Sequence, residues 1–284
     1  MRNGVEKFDT HSTFKKKQSI PGFGLTMGLS TLYLSLLVLI PLSLVFIYSA
    51  RLGWTAFWND VTDPRVVASY KLSFLTAFSA ALVNLVFGLL FAWVLSRYTF
   101  PLKRIVDGLV DLPFALPTAV AGITLTTLYS ETGWLGKWLP FDVSFTPIGI
   151  TLALIFVGLP FVVRMVQPVL QNFEHEVEEA SASLGATSFQ TFRRVIFPQL
   201  LPAALSGFSL AFARSLGEYG SVVFIAGNMP FKTEIAPLMI MTKLDQFDYP
   251  AATAIAVVML VISFALILLI NLIQWWSRIR YASH

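Results

Sequence analysis

Six stretches of this chain, at approximately 25–48, 70–95, 105–129, 147–166, 200–224 and 251–275, are long and apolar enough to cross a membrane. A bilayer core needs about 20 apolar residues in a helix. The expected fold is therefore an all-α membrane protein with about six transmembrane helices. Composition agrees: 56% of residues are hydrophobic and 13% charged, against about 25% charged in soluble domains. Lys15, Lys16 and Lys17 precede an apolar run from Leu25 to Tyr48. That run of about 24 residues exceeds the core of a signal peptide and suits a span. There is no cysteine, which excludes disulfides and thiolate chemistry.

Basic residues give the orientation. The N-terminal tail and segments 96–104, 164–199 and 276–284 together carry thirteen Lys/Arg, whereas 49–71, 130–146 and 225–250 carry six. The first group is expected on the cytoplasmic side. Residues 1–24 and 276–284 are then cytoplasmic tails, and 25–275 is the transmembrane domain, including a cytoplasmic segment at 173–198. The net charge of +4 reflects this bias, and no basic motif supports nucleic-acid binding.

Segment 173–198 has internal order. Glu174, Glu176, Glu178 and Glu179 precede Gly185, and Arg193 and Arg194 follow. Residues from about 173 to 184 read as a helix with acids in its first turns, where the helix dipole favours them. Gly185 is suited to the left-handed conformation that ends a helix. Thr187 and Gln190 have the spacing of a capping box for a second helix. Phe189, Phe192 and Ile196 give that helix an apolar face, and it runs into the fifth span at Pro198. A rigid helix–turn–helix between spans can carry motion from a soluble partner into the membrane domain.

Several chemistries lack their residues. His175-Glu176 begins like a zinc-protease helix, but position 179 is Glu, not the second His ligand. Gly133 to Trp138 has the wrong spacing for a phosphate-binding loop, so ATP must be held elsewhere. No metal site is expected. Arg214 and Glu218 lie four apart in the fifth span, where charges are costly. Either Arg214 lines an anion pathway with Glu218 holding it, or the two form a structural salt bridge; both readings stand. Ser215, Pro117 and Thr118 join them as candidate path residues. Asp107 and Asp111 are expected to pair with Lys103 and Arg104 near the cytoplasmic end, with Arg164 an interfacial anchor. Pro113 and Pro117 are expected to bend the third span.

The 179–198 segment resembles the EAA loop of ABC importer permeases, which runs E-A-A, three residues, G, nine residues, I, one residue, L-P. Glu179, Ala180, Gly185, Val195 and Pro198 match in spacing; Ser181, Val195 and Phe197 replace Ala, Ile and Leu. The strings Asp111–Gly122, Arg214–Gly220, Phe224–Asn228 and Phe247–Ala252 resemble the sulfate/thiosulfate importer permeases, in particular their CysT-type subgroup. The likeness runs from about residue 20 to the end. It implies a MetI-like permease architecture working by alternating access. It places ATPase coupling on Glu178, Glu179, Ala180, Ser181, Gly185, Ala186 and Pro198. It implies a second permease of the CysW type, two copies of a CysA-type ATPase holding ATP and Mg, and a periplasmic sulfate-binding protein. This chain would be non-catalytic, without a cofactor of its own, surrounded by lipid in a bacterial inner membrane or a plastid inner envelope. A molybdate or tungstate permease is the near alternative. A secondary carrier would show an internal repeat and several intramembrane acids, a channel a pore-lining ring, and an intramembrane enzyme a nucleophile–base pair. None of these patterns is evident.

Overall fold

The computed structural model describes residues 23–282, with side chains at 23–272 and 274. The tail expected at 1–24 lies almost wholly outside the described residues, as do the last two residues of the tail expected at 276–284. Two units are distinguished, Met1–Leu44 and Val45–His284. Helix α1, Phe23–Ala50, spans their boundary and contains a π-helical turn at Ser35–Leu39. Within the first unit its hydroxyls donate back to the helix, Thr31 to the Met27 carbonyl at 2.8 Å and Ser43 to that of Ile40 at 2.7 Å. That satisfies them without water.

In the second unit, the short helix α2 (Trp54–Val61) leads to α3 (Pro64–Arg97). Asp63 caps α3 by accepting from the Arg65 and Val66 amides, and Pro64 occupies its first turn. The third apolar stretch is broken into α4 (Lys103–Val110), α5 (Leu112–Ala115) and α6 (Thr118–Tyr129). The prolines do more than bend it. Leu116 is forced extended by the proline that follows, and Pro117 then stands as the N-cap of α6. Helix α6, at 12 residues, reaches only about 18 Å. Five helices among the described residues therefore have span length, with α6 a shorter apolar one.

Helix α7 (Pro147–Gln171) is capped by Thr146. After it come α8 (His175–Ser183) and α9 (Ser188–Leu216). Helix α9 ends at Gly217, before the expected limit of 224, and α10 (Val222–Ala226) is separate. Helices α11 (Ala236–Asp245) and α12 (Tyr249–Ala282) complete the chain. All these elements are helical, as the sequence implies.

The core of this unit lies among α3, α7 and α9. Ala77, Ala80 and Ala81 meet Ile150, Leu154, Val162 and Val163, with Ala204 and Ala211 from α9, all at most 2% exposed. Small residues allow close approach: the Val162 side chain stands against Gly88 of α3 and its backbone against Gly207 of α9. Phe78 packs edge-on against Phe208, with centroids 5.8 Å apart. At one end Arg65 donates twice to Glu234, at 2.7 Å each, and Ala236 N–H donates to Ser73 Oγ at 2.7 Å. These bonds tie the loop before α11 to the start of α3.

Candidate functional site

The 173–198 segment folds as a sealed corner. Helix α8 carries Glu176 and Glu178 in its first turn. Its end is closed by Gly185 at φ 80°, with Gly185 N–H donating to Ala182 O at 2.9 Å and Ala186 N–H to Ser181 O at 3.2 Å. This is the Schellman closure. Two residues on, Thr187 accepts from Gln190 N–H at 3.3 Å, while Gln190 Oε1 accepts from Thr187 N–H at 2.8 Å. The expected capping box is thus present. Ser181 and Thr191 hydroxyls meet at 2.9 Å and join the two helices.

The second helix is the start of α9, joined to the rest of it by a π-helical turn at Phe192–Ile196, whose i→i−5 bond runs from Phe197 N–H to Phe192 O. The extra residue in that turn splits the apolar face expected from Phe189, Phe192 and Ile196. Ile196 is buried, Phe192 packs edge-on against Trp93 at 5.4 Å, and Phe189 is exposed. Exposed Leu184 and Phe189 therefore flank the corner. Glu179 and Ala180 are exposed, Ser181 and Ala186 half-buried, and Pro198 lies in the first turn that follows the π segment.

Glu178 is anchored rather than free. It accepts from Arg97 at the end of α3, whose guanidinium also lies over the Trp93 and Phe173 rings, 5.3 and 5.6 Å from their centroids. The acid-rich helix is thereby fixed to the first core helix.

A second charge cluster departs from expectation. Asp107 and Asp111 turn away from Lys103 and Arg104 and converge on Arg164 of α7. Arg164 donates to Asp111 through Nε (2.7 Å) and Nη2 (2.6 Å), to Asp107 Oδ1 through Nη1 (2.7 Å), to the Asp107 carbonyl (2.9 Å) and to Gln167 Oε1 (2.6 Å). All five guanidinium protons have acceptors. Arg164 is therefore a bracket that holds the broken α4–α5 segment against α7, and not an anchor in the lipid interface. Lys103 donates instead to the Tyr98 carbonyl at 2.9 Å. Gln167 also donates to Asp107 Oδ1, at 3.3 Å.

The candidate path residues are partly united. Glu218 is just beyond the end of α9, so the pair with Arg214 does not rest on a shared helix face; it forms nonetheless, at 2.6 Å. Glu218, 1% exposed, also accepts from Ser221 N–H and Oγ, both at 2.9 Å. Gly220 lies against the Thr118 side chain, and Gly122 against the Ser221 backbone. No larger residue fits either position without displacing its neighbour. The start of α6, with Pro117 and Thr118, is thus seated on the loop that holds Glu218. Ser215 is turned away, buried in the core.

Comparison with known proteins adds to this geometry. The model of the family described as "Binding-protein-dependent transport system inner membrane component" matches residues 84–281. The chain is similar to the sulfate transport system permease protein CysT of Synechocystis sp., 53% identical over 255 residues covering 89% of each chain. It is 51% identical over 271 residues to the protein of the same name from Escherichia coli, covering 94% of this chain and 98% of that one. Among solved structures, a bacterial ABC transporter involved in the import of the acidic polysaccharide alginate superposes with a TM-score of 0.73 at 15% identity, covering 89% of this chain and 95% of that one. The MetNI methionine ABC transporter superposes with a TM-score of 0.52 at 20% identity, covering 76% and 93%.

Proposed function

The chain belongs to the family of binding-protein-dependent transport system inner membrane components, and on that footing we propose that it is the permease subunit of an ATP-driven sulfate importer. The observation that carries the coupling role is the sealed corner at 183–188, whose second helix is the start of the long helix α9. A push on Glu179, Leu184 or Phe189 from a soluble ATPase would pass into the core along one helix. Glu178, Glu179, Ala180, Ser181, Gly185, Ala186 and Pro198 are the coupling residues in this reading. The substrate assignment, sulfate with thiosulfate, rests on the likeness to relatives named sulfate permeases. The partners are a second permease of the CysW type, two CysA-type ATPases holding ATP and Mg, and a periplasmic sulfate-binding protein. Loaded binding protein docks outside, ATP closes the ATPase dimer, and the corner carries that closure inward by alternating access. Both termini face the cytoplasm of a bacterial inner membrane.

Radiolabelled sulfate uptake in cells lacking only this chain tests the proposal. Loss of uptake, restored by the gene and competed by thiosulfate but not molybdate, is the expected result. Unchanged uptake in a host with no other sulfate route overturns the substrate assignment and favours molybdate or another oxyanion.

Arg214, Ser215, Glu218, Pro117 and Thr118 form the candidate translocation path. Arg214→Ala is expected to lower uptake at least about ten-fold, equivalent to about 1.4 kcal/mol, with the complex still assembled. Glu218 keeps its two hydrogen bonds from Ser221 in that variant. Affinity co-purification and uptake on the same preparation check this; loss of assembly before flux assigns the pair a structural role.

A further inference from the structure

In the core of α3, α7 and α9, Asn84 stands where its amide has nothing to bond. Asn84 is 0% exposed, and neither its amide nitrogen nor its amide oxygen has a hydrogen-bond partner. It lies in the middle of a 34-residue helix, among Ala77, Ala80, Ala81 and Gly88 on its own strip. Its amide fills the place where a Cβ on Gly158 would stand, with the Ala211 methyl 3.5 Å from that same point. A leucine there would pack at no polar cost, whereas an unbonded buried amide raises the energy of the state that contains it. Any second state that supplies a partner is favoured by the same amount.

The facing helix holds such a partner. Ser215 is 3% exposed, and its hydroxyl is likewise without a partner. It follows Ala211 by four residues and so lies about one turn further along the same face of α9. A serine hydroxyl both donates and accepts, and so matches either atom of the amide. One layer on the other side, Val162 is held between Gly88 of α3 and Gly207 of α9. Val162 is thus in close contact with both helices at that point. A tilt of α9 about it changes the separation of Asn84 and Ser215 more than it changes the Val162 contact. Interfaces of small residues admit such shear with little repacking.

We infer that Asn84 and Ser215 form a state-dependent pair, apart in this conformation and hydrogen-bonded in a second conformation of the transport cycle. The inference rests on the reading of the chain as an alternating-access permease. It makes Asn84 a positioning residue. Drawing Ser215 inward also moves Arg214, its neighbour in sequence, and with it the Arg214–Glu218 pair at the start of α6.

The test is a double-mutant cycle on the purified complex, with Asn84→Leu, Ser215→Ala and the double variant. Tm is read both nucleotide-free and trapped with ATP and vanadate. Asn84→Leu is expected to raise Tm in the nucleotide-free state and lower it in the trapped state. Ser215→Ala is expected to lower Tm only in the trapped state, and the double variant to fall no further than either single one. Sulfate uptake is expected to drop about ten-fold in each single variant and no more in the double. Equal Tm changes in both states, or additive losses in the double variant, overturn the pairing. Should Asn84→Leu fail to assemble, Asn84→Ala, which only removes atoms, carries the same cycle. The Tm readout uses no sulfate, so absence of sulfate uptake in the unmodified complex overturns the substrate assignment and leaves this pairing to be judged on its own.

Discussion

Glu179→Lys is expected to lower uptake to below about one-tenth of the unmodified level, while the chain still reaches the membrane in normal amount. Glu179 is exposed and has no ion pair among the described residues, and an exposed substitution of this kind changes stability by about 0.5 kcal/mol or less. The loss therefore falls on docking and not on folding. Glu178→Lys behaves differently. It places a cation against Arg97, itself half-buried over the Phe173 and Trp93 rings, and should reduce both uptake and the amount of assembled complex. Quantitative blotting of membranes alongside uptake separates the two. Normal uptake in Glu179→Lys would end the coupling assignment.

Arg164→Leu is expected to destabilise the complex by about 2 kcal/mol, because it leaves two carboxylates facing each other without their cation. The partial exposure of Asp107 and Asp111, 38% and 46%, keeps the figure below that of a fully buried pair. Thermal unfolding in detergent should show a fall of roughly 5 °C. Replacing all three charges, with Asp107→Asn and Asp111→Asn added to Arg164→Leu, should recover part of that loss. If the triple variant is less stable than Arg164→Leu alone, the bracket is not the source of the effect.

The corner at 183–188 was legible in the sequence because its determinants are local. A glycine after an acidic helix and a Thr–Gln pair three apart act within a few residues. The Arg164 bracket was not legible, since its two aspartates are more than fifty residues away and two cations nearer to them, Lys103 and Arg104, offered a simpler pairing. One signal was available: two aspartates one turn apart, which need a single cation with two faces, and an arginine is the residue that has them. The break at Leu116 followed from Pro117, but hydropathy continues across it and conceals it. Hydropathy also carried the fifth span past Gly217, where the backbone turns aside to bury Glu218. The register of Phe189, Phe192 and Ile196 failed for a different reason. A period of 3.6 assumes an uninterrupted α-helix, and nothing in the local composition marks the π turn. Asn84 gave no warning at all, because one amide in an apolar helix is unremarkable until its neighbours are known.

That π turn at Phe192–Ile196 sets an angular phase between two working surfaces. Each residue of a helix advances the chain by about 100° around its axis, and the wider turn holds one residue more than an α-helical one. The face that Leu184, Phe189 and the corner present outside the bilayer is thereby rotated by about a quarter-turn relative to the face that Ala204 and Ala211 bury within it. If the corner is where an ATPase docks, as proposed, the direction of its push relative to the helix seam is set by the count of residues between Thr191 and Phe197. A single deletion there would spare the corner and the buried face and still turn one relative to the other.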